Sequence, residues 1–411
     1  MSPGARPHLR ALTSVRFIAA ALVVMGHARG RVGVPHDWGE PFSVFSGVPF
    51  FFVLSGFILA YVYPDLNGPG TRQFLVARFA RLWPVHAVMW CVVTLAIATG
   101  HWYANAGNTP TVALANLAMV HSWVPTVRSY FSFNEPSWSI STEFFFYLLF
   151  PLILRTWKRA WSLWLIGSLV LCTFMGHIAD GSLSTRWIGP GGIDRAGFGV
   201  NPLACLYLFI LGVAAHRVWT WLSPRLHVGI VLGTLIEVAA LGMTAALLFD
   251  STPLSLYVAS IVRANPAMLY LWMPTMAVAI LLFPVLIVVL ALERGLITRA
   301  LAWGPCVLLG EMSYALYLVH LPILTVLTVS EASLPVVPDL MAFTAFWLFA
   351  LGSSWVLWRW VEQPARRYIR DAWGAHEFTW SVGQWRVAGV GLATVLLMIL
   401  AVHIASLFLS L

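Results

Sequence analysis

Long apolar runs alternate with short polar segments from one end of the chain to the other. An apolar run of about 18–25 residues is long enough to form a helix that crosses a bilayer. The sequence therefore predicts an all-α integral membrane protein with about ten core transmembrane helices and one additional C-terminal span. The predicted spans lie near residues 11–28, 43–62, 83–99, 137–154, 161–178, 200–216, 228–249, 269–291, 303–328, 339–358 and 387–410.

A further apolar stretch at residues 111–124 is shorter than the stretch that a transmembrane helix normally needs to cross the bilayer. We interpret it as a re-entrant or interfacial helix in a long outer loop. If it did cross, every later segment would invert and the distribution of arginines would reverse. The layout without this crossing is therefore preferred.

The composition supports a lipid environment, because 60% of the residues are hydrophobic and only 10% are charged, whereas soluble chains carry about 25% charged residues. The net charge of +8 comes from short basic clusters between the apolar runs, which argues against nucleic acid as a partner. With a cytoplasmic N-terminus, most arginines fall in the segments placed inside, as the positive-inside rule requires. This layout predicts an extracytoplasmic C-terminus and a location in the cell (inner or plasma) membrane.

The first apolar run contains Arg16 and His27 and is not followed by the usual small-residue cleavage site, so we expect a permanent span rather than a signal peptide. We expect residues 1–370 to form one membrane domain, and residues 371–411 to form a cytoplasmic connector with an extra C-terminal transmembrane helix. No disulfide framework or metal site is predicted, because the cysteines stand at unrelated spacings inside apolar runs: Cys91, Cys172, Cys205 and Cys306.

Ionisable residues within the apolar runs are the candidate functional groups, since a charge at the bilayer centre costs about 2.5–3.5 kcal/mol. Arg16 and His27 are eleven positions apart, so they share a helix face at a separation of roughly 16 Å. They suit a helix that lines a shaft, although Arg16 snorkelling to the headgroups and His27 marking the outer interface is an equal alternative at this point. The other candidates are His86, Glu143, Glu237, Glu311, His320 and His403.

Each of the remaining signals also has a structural explanation. Glu143 follows Ser139 by one helical turn, and a structural hydrogen bond to a neighbouring helix would account for it. Arg78 and Arg81 share a helix face on the cytoplasmic side, where they suit phosphate binding, but ordinary positive-inside anchoring places arginines there equally well. A structural role, in which the imidazole of His320 packs between helices with its nitrogens hydrogen-bonded, would likewise account for that residue.

In combination, these segments resemble the acyltransferase-3 family of multi-spanning membrane O-acyltransferases, which acylate sugars of envelope polysaccharides and of glycosylated natural products. The family's arginine, ten intervening residues and histidine fall on Arg16 and His27, and its cytoplasmic arginine pair falls on Arg78 and Arg81. Residues 13–15 read Thr-Ser-Val where many members have an aspartate and a glycine, as in the branch that includes antibiotic-sugar acyltransferases. The matching segments are residues 12–27, 47–59, 78–84, 137–143, 310–320 and 361–366.

The resemblance implies that His27 is the catalytic residue, acting as a base on the acceptor hydroxyl or, as a lesser alternative, as an acylated relay. It implies acyl-CoA, expected to be acetyl-CoA, as the donor substrate and a sugar-containing acceptor, with no tightly bound cofactor or metal. Donor phosphates are expected near Arg78 and Arg81, with Arg16 along the donor path. Glu143 is expected to orient the imidazole or to hold the acceptor. Weaker candidates for substrate contacts are Ser55, Trp138, Tyr317 and His320.

A transporter or flippase is the competing class, because ion-coupled carriers also use intramembrane ionisable residues and broken helices. Carriers often show paired halves, and the first five predicted spans are not repeated in the later ones. A receptor or scaffold would have little use for Arg16 and His27 on one helix face. The enzyme is therefore the preferred interpretation.

Overall fold

A computed structural model describes residues 7–38, 44–66, 69–99, 108–124, 127–179, 200–249, 281–331 and 338–374. Within these ranges the chain is helical and has no β-strand, apart from an isolated bridge between Arg31 and Val34. The predicted C-terminal span at 387–410, with His403, lies outside the described residues, as does the first half of the span predicted at 269–291.

Thirteen α-helices occupy the described residues, numbered here in chain order. The first six are α1 Arg10–Ala28, α2 Gly47–Val62, α3 Pro69–Ala98, α4 Pro110–Leu117, α5 Val127–Tyr130 and α6 Trp138–Ala179. The others are α7 Pro202–Leu222, α8 Ile230–Phe249, α9 Phe283–Leu292, α10 Leu296–Leu301, α11 Gly304–Glu331, α12 Asp339–Val356 and α13 Gln363–Gly374. Short 3₁₀ turns lie at Val44–Ser46, His121–Trp123 and Glu135–Ser137, and a π-helical turn at Leu357–Glu362.

Seven helical segments of the described chain are long and apolar enough to cross a membrane, and α2 and α9 are shorter apolar helices. Every predicted span within the described residues coincides with a helix. The spans predicted at 137–154 and 161–178 belong to one helix, α6, whose backbone leaves the helical region at Ala160 (φ −134°, ψ 22°). The break falls between the two predicted spans, and the all-helical membrane fold is confirmed.

Two helix boundaries differ from those predicted. Helix α3 begins at Pro69, well before the span predicted at 83–99, and it contains Arg78 and Arg81, which were expected to share a helix face. Residues 72–82 are mostly good helix formers, and hydropathy marks only the apolar part of a longer helix. Helix α12 likewise continues through the π-helical turn into α13, beyond the span predicted to end near residue 358. Helix α4, at eight residues or about 12 Å, is much shorter than a bilayer is thick.

The described chain forms two compact units. The first comprises Met1–Val23, Gly39–Leu66 and Leu149–Glu311. Its helices α2 and α7 pack closely at Gly56 and Gly212: a Cβ on Gly56 would collide with the carbonyl oxygen of Phe209, and one on Gly212 with that of Val53. Small residues let membrane helices approach each other's backbones in this way, so these two glycines set the α2–α7 contact.

Glu237 of α8 has a structural role in this first unit. Its buried carboxylate accepts hydrogen bonds from the backbone N–H groups of Gly295 (2.8 Å), Ile297 (3.0 Å) and Thr298 (3.3 Å) and from the Thr298 hydroxyl (2.6 Å). These amides begin α10, and the first amides of a helix lack intrahelical partners. The carboxylate satisfies them and meets the positive end of the helix dipole. This accounts for a charge that sequence analysis ranked as a functional candidate.

The second unit comprises Val24–Trp38, Asn67–Leu148 and Met312–Leu411. Helix α3 packs here against the π-helical turn and α13. Of the residues to which the family resemblance gave a catalytic or substrate-binding role, this unit contains all but Arg16 and Ser55, which belong to the first unit.

Candidate functional site

A pair of histidines lies in the second unit, one on α1 and the other on α11. The Nδ1 atom of His27 lies 3.0 Å from the Nε2 atom of His320, and the two rings are tilted by 32° with their centroids 5.1 Å apart. His320 is completely buried, whereas His27 is half-buried. The Nδ1 atom of His320 lies 3.2 Å from the carbonyl oxygen of Leu316, one turn earlier in α11. Sequence analysis ranked both histidines as candidates but did not pair them.

A side chain from the segment before α6 anchors the part of α11 that carries His320. Pro322 lies inside α11 and has no N–H, so the carbonyl of Leu318 loses its usual helical donor. The side-chain amide of Asn134 donates to this carbonyl at 2.9 Å. The segment before α6 therefore anchors the interrupted turn that contains His320.

Tyr317 and Ser139 form a second link between α11 and α6. Their hydroxyl oxygens lie 2.9 Å apart, and both lie within hydrogen-bonding distance of the carbonyl oxygen of Pro136, at 3.1 Å and 2.9 Å respectively. All three groups are buried. These contacts explain Tyr317 structurally, and its contact with a substrate stays a prediction. Trp138, half-buried at the start of α6, accepts a hydrogen bond on its backbone carbonyl from the Ser122 hydroxyl at 2.7 Å.

Glu143 accepts a hydrogen bond from the hydroxyl of Tyr147, one turn later on α6. The guanidinium of Arg78 lies over the Tyr147 ring, with its central carbon 5.9 Å from the ring centroid. Tyr147 thus contacts both a predicted acidic site residue and a predicted donor-binding arginine. Sequence analysis missed it, although its position four residues after Glu143 placed the two on one helix face.

Arg81 forms an ion pair with Glu362 at the end of the π-helical turn. The Glu362 side chain is completely buried and that of Arg81 is 10% exposed, and Arg366 approaches the same carboxylate at 3.4 Å. The Tyr314 ring lies 5.3 Å from the Arg81 guanidinium carbon, and the Tyr314 hydroxyl donates to the carbonyl of Leu82 at 2.6 Å. Arg81 therefore ties α3 to the C-terminal part of this unit. Glu362 stands in a segment that carried the family resemblance, but no role was predicted for it.

Arg16 and His27 lie on one uninterrupted helix, α1, as predicted. Arg16 and Ser55 are both half-buried in the first unit. Their contributions to a donor path and to substrate contacts stay predictions.

A buried polar cluster that joins α3 to residues 116–137 was not predicted. His86 Nε2 lies 2.8 Å from the carbonyl oxygen of Asn116, the Asn116 side-chain amide donates to Ser132 and Ser137, and Ser137 lies 3.3 Å from His121 Nε2. Burial, together with the nearby imidazole of His86, lowers the pKa of His121 from 6.5 to about 3. The neutral imidazole is thus a fixed part of the loop structure. Only the concentration of Asn, Ser and His near residues 116–137 pointed to this cluster.

The fold and the pair of histidines define a polytopic α-helical membrane protein with titratable groups on its helices. A model of the acyltransferase domain matches residues 9–359, nearly the whole described chain. The chain therefore belongs to this family of membrane acyltransferases.

Two curated relatives are similar over most of this chain. Acyltransferase MdmB of Streptomyces mycarofaciens is 30% identical over an alignment that covers 76% of this chain and 78% of the relative. Peptidoglycan O-acetyltransferase OatA of Listeria monocytogenes is 25% identical over 94% of this chain but only 61% of its own length. No solved structure matches the chain.

Proposed function

We propose that this protein is a membrane O-acyltransferase that transfers an acyl group from acyl-CoA to a hydroxyl group of a sugar, with His27 as the general base. The observation that carries the proposal is the His27 imidazole, which is held by a hydrogen bond to a buried side chain within a span of an acyltransferase family member. The names of the two relatives, an acyltransferase and a peptidoglycan O-acetyltransferase, support the reaction class.

The proposed step needs one base and no redox partner. His27 takes the proton of the acceptor hydroxyl while the hydroxyl oxygen attacks the thioester carbon. The carbon–sulfur bond breaks, the acyl group moves to the sugar oxygen, and the CoA thiolate receives the proton from the imidazolium. Because the net reaction neither releases nor consumes a proton, one histidine serves the whole cycle.

The donor is proposed to bind from the cytoplasm, with acetyl-CoA as the first choice. Arg78, which is half-buried in the N-terminal half of α3, the end that we place on the cytoplasmic side, is the arginine best suited to contact its phosphates, because the buried Arg81 already neutralises Glu362. Glu143, joined to Tyr147, is proposed to bind the acceptor sugar through hydrogen bonds. Arg16 is proposed to line the donor path on α1.

The test uses purified protein in lipid nanodiscs with acetyl-CoA and a panel of acceptors, from free N-acetylhexosamines to glycosylated antibiotics. A thiol probe follows CoA release, and mass spectrometry identifies the acylated sugar. We expect acceptor-dependent CoA release that is lost in His27→Ala and kept in His227→Ala, a matched control at an exposed histidine between α7 and α8. Undiminished transfer by His27→Ala refutes the assignment of the base. Movement of an acceptor into proteoliposomes without any donor would instead indicate a carrier.

A further inference from the structure

The contacts of His320 determine which of its nitrogens carries a proton. Its Nδ1 atom faces the carbonyl oxygen of Leu316, which only accepts hydrogen bonds, so the proton of a neutral His320 lies on Nδ1. The Nε2 atom is then an acceptor, and this atom faces Nδ1 of His27 at 3.0 Å.

The tautomer of His27 follows from that of His320. Since Nε2 of His320 accepts, the hydrogen between the two rings belongs to Nδ1 of His27. A neutral imidazole carries one N–H, so the lone pair of His27 lies on Nε2. A chain of hydrogen bonds therefore runs from the Leu316 carbonyl through His320 to His27. The basic nitrogen of His27 is the one on the side away from His320.

We propose that His320 is a positioning residue that holds His27 in the Nδ1–H tautomer and in one ring orientation, so that Nε2 is the base; this inference rests on the proposed function. When Nε2 takes the hydroxyl proton, His27 becomes an imidazolium and its Nδ1–H becomes a stronger donor to His320. The bond thus stabilises the charge that develops in the transition state, the role that a hydrogen-bonded orienting group has beside other catalytic histidines.

Two substitutions of His320 distinguish the loss of its hydrogen bond to His27 from the loss of its packing. His320→Leu removes both polar contacts, whereas His320→Gln places an amide near the position of Nε2 and retains an acceptor for His27. We expect His320→Leu to lower kcat at least about 10–100-fold, the effect that removing a hydrogen-bonded orienting partner has at metal-bound histidines, with the KM for acetyl-CoA nearly unchanged. His320→Gln recovers part of this loss. The control is His86→Gln, the same substitution at another buried histidine whose partner is also a backbone carbonyl.

The tautomer itself is measured by nitrogen-15 NMR of histidine-labelled wild-type protein in nanodiscs, with His27→Gln used to assign the signals. A His27 protonated on Nδ1 is the expected result, and a His27 protonated on Nε2 overturns the proposal. Wild-type kcat in His320→Leu also overturns it. Because the NMR measurement needs no turnover and no folded variant of His320, it decides the tautomer even if the wild-type protein transfers no acyl group, a result that would refute only the proposed function.

Discussion

Substitutions in the ion pair between Arg81 and Glu362 test whether Arg81 has a structural role or binds the donor. Glu362→Gln keeps the shape of the side chain but removes the carboxylate charge that pairs with the Arg81 guanidinium, whose side chain is 10% exposed. Removing one partner of a buried pair costs about 3–5 kcal/mol. Part of the Arg366 side chain reaches solvent, at 31% exposure, so it does not add to this cost.

The double variant Arg81→Met/Glu362→Leu removes both charges at once. Replacing a buried ion pair by apolar side chains of similar volume is often neutral or stabilising, so the double variant should regain most of the stability that Glu362→Gln loses. Stability is followed by thermal unfolding in detergent, with His227→Ala as the reference for a substitution at an exposed site. A double variant that is less stable than Glu362→Gln would refute the reasoning about uncompensated charge.

The stable double variant then tests donor binding. If Arg81 serves only to pair with Glu362, the KM of the double variant for acetyl-CoA stays near the wild-type value. Arg78→Ala instead raises KM about 10-fold or more, which corresponds to the loss of one charge-assisted hydrogen bond. A double variant with wild-type stability and a KM raised as much as in Arg78→Ala would show that Arg81 contacts the donor directly.

Two further predictions concern groups outside this pair. Glu237→Leu leaves the first amides of α10 without acceptors, so we expect a loss of about 2–5 kcal/mol in thermal unfolding but unchanged kcat and KM of the folded protein; altered constants would contradict a structural role. For His121, the folded-state pKa of about 3 lies below the unfolded value of 6.5, so the unfolded chain binds more protons between these pH values. Its contribution to stability is present above pH 6.5 and is lost as the pH falls towards 3, with a limiting slope of about 1.4 kcal/mol per pH unit. Unfolding midpoints measured across this window should depend less on pH in His121→Gln, and an unchanged dependence would contradict the assignment.

Hydropathy and helical periodicity predicted the membrane fold well because each depends on residues close together in the chain. The break between the spans predicted at 137–154 and 161–178 followed from the charged residues there, and the structure places it at Ala160. The span predicted at 83–99 covers only the apolar part of α3, which begins 14 residues earlier, since a helix can lose its hydrophobicity along its length without losing its hydrogen bonds.

Partners distant in sequence were not predictable in this way. Periodicity indicates which face of a helix a residue occupies, but not which helix packs there. His27 and His320 are 293 positions apart, and their contact depends on how α1 and α11 pack. The same limit made Glu237 resemble a functional residue, because the amides that it satisfies lie some 60 positions later.

The choice of a histidine rather than a carboxylate to orient His27 follows from burial. The site of His320 is completely buried inside a membrane helix, and an ionised carboxylate there would cost several kcal/mol unless it were paired. A neutral imidazole whose proton is fixed by a backbone carbonyl presents an acceptor to His27 without placing a permanent charge in the site. In the proposed step, the positive charge develops in the transition state and lasts only while His27 holds the acceptor proton, so the hydrogen bond to His320 would stabilise it when it forms.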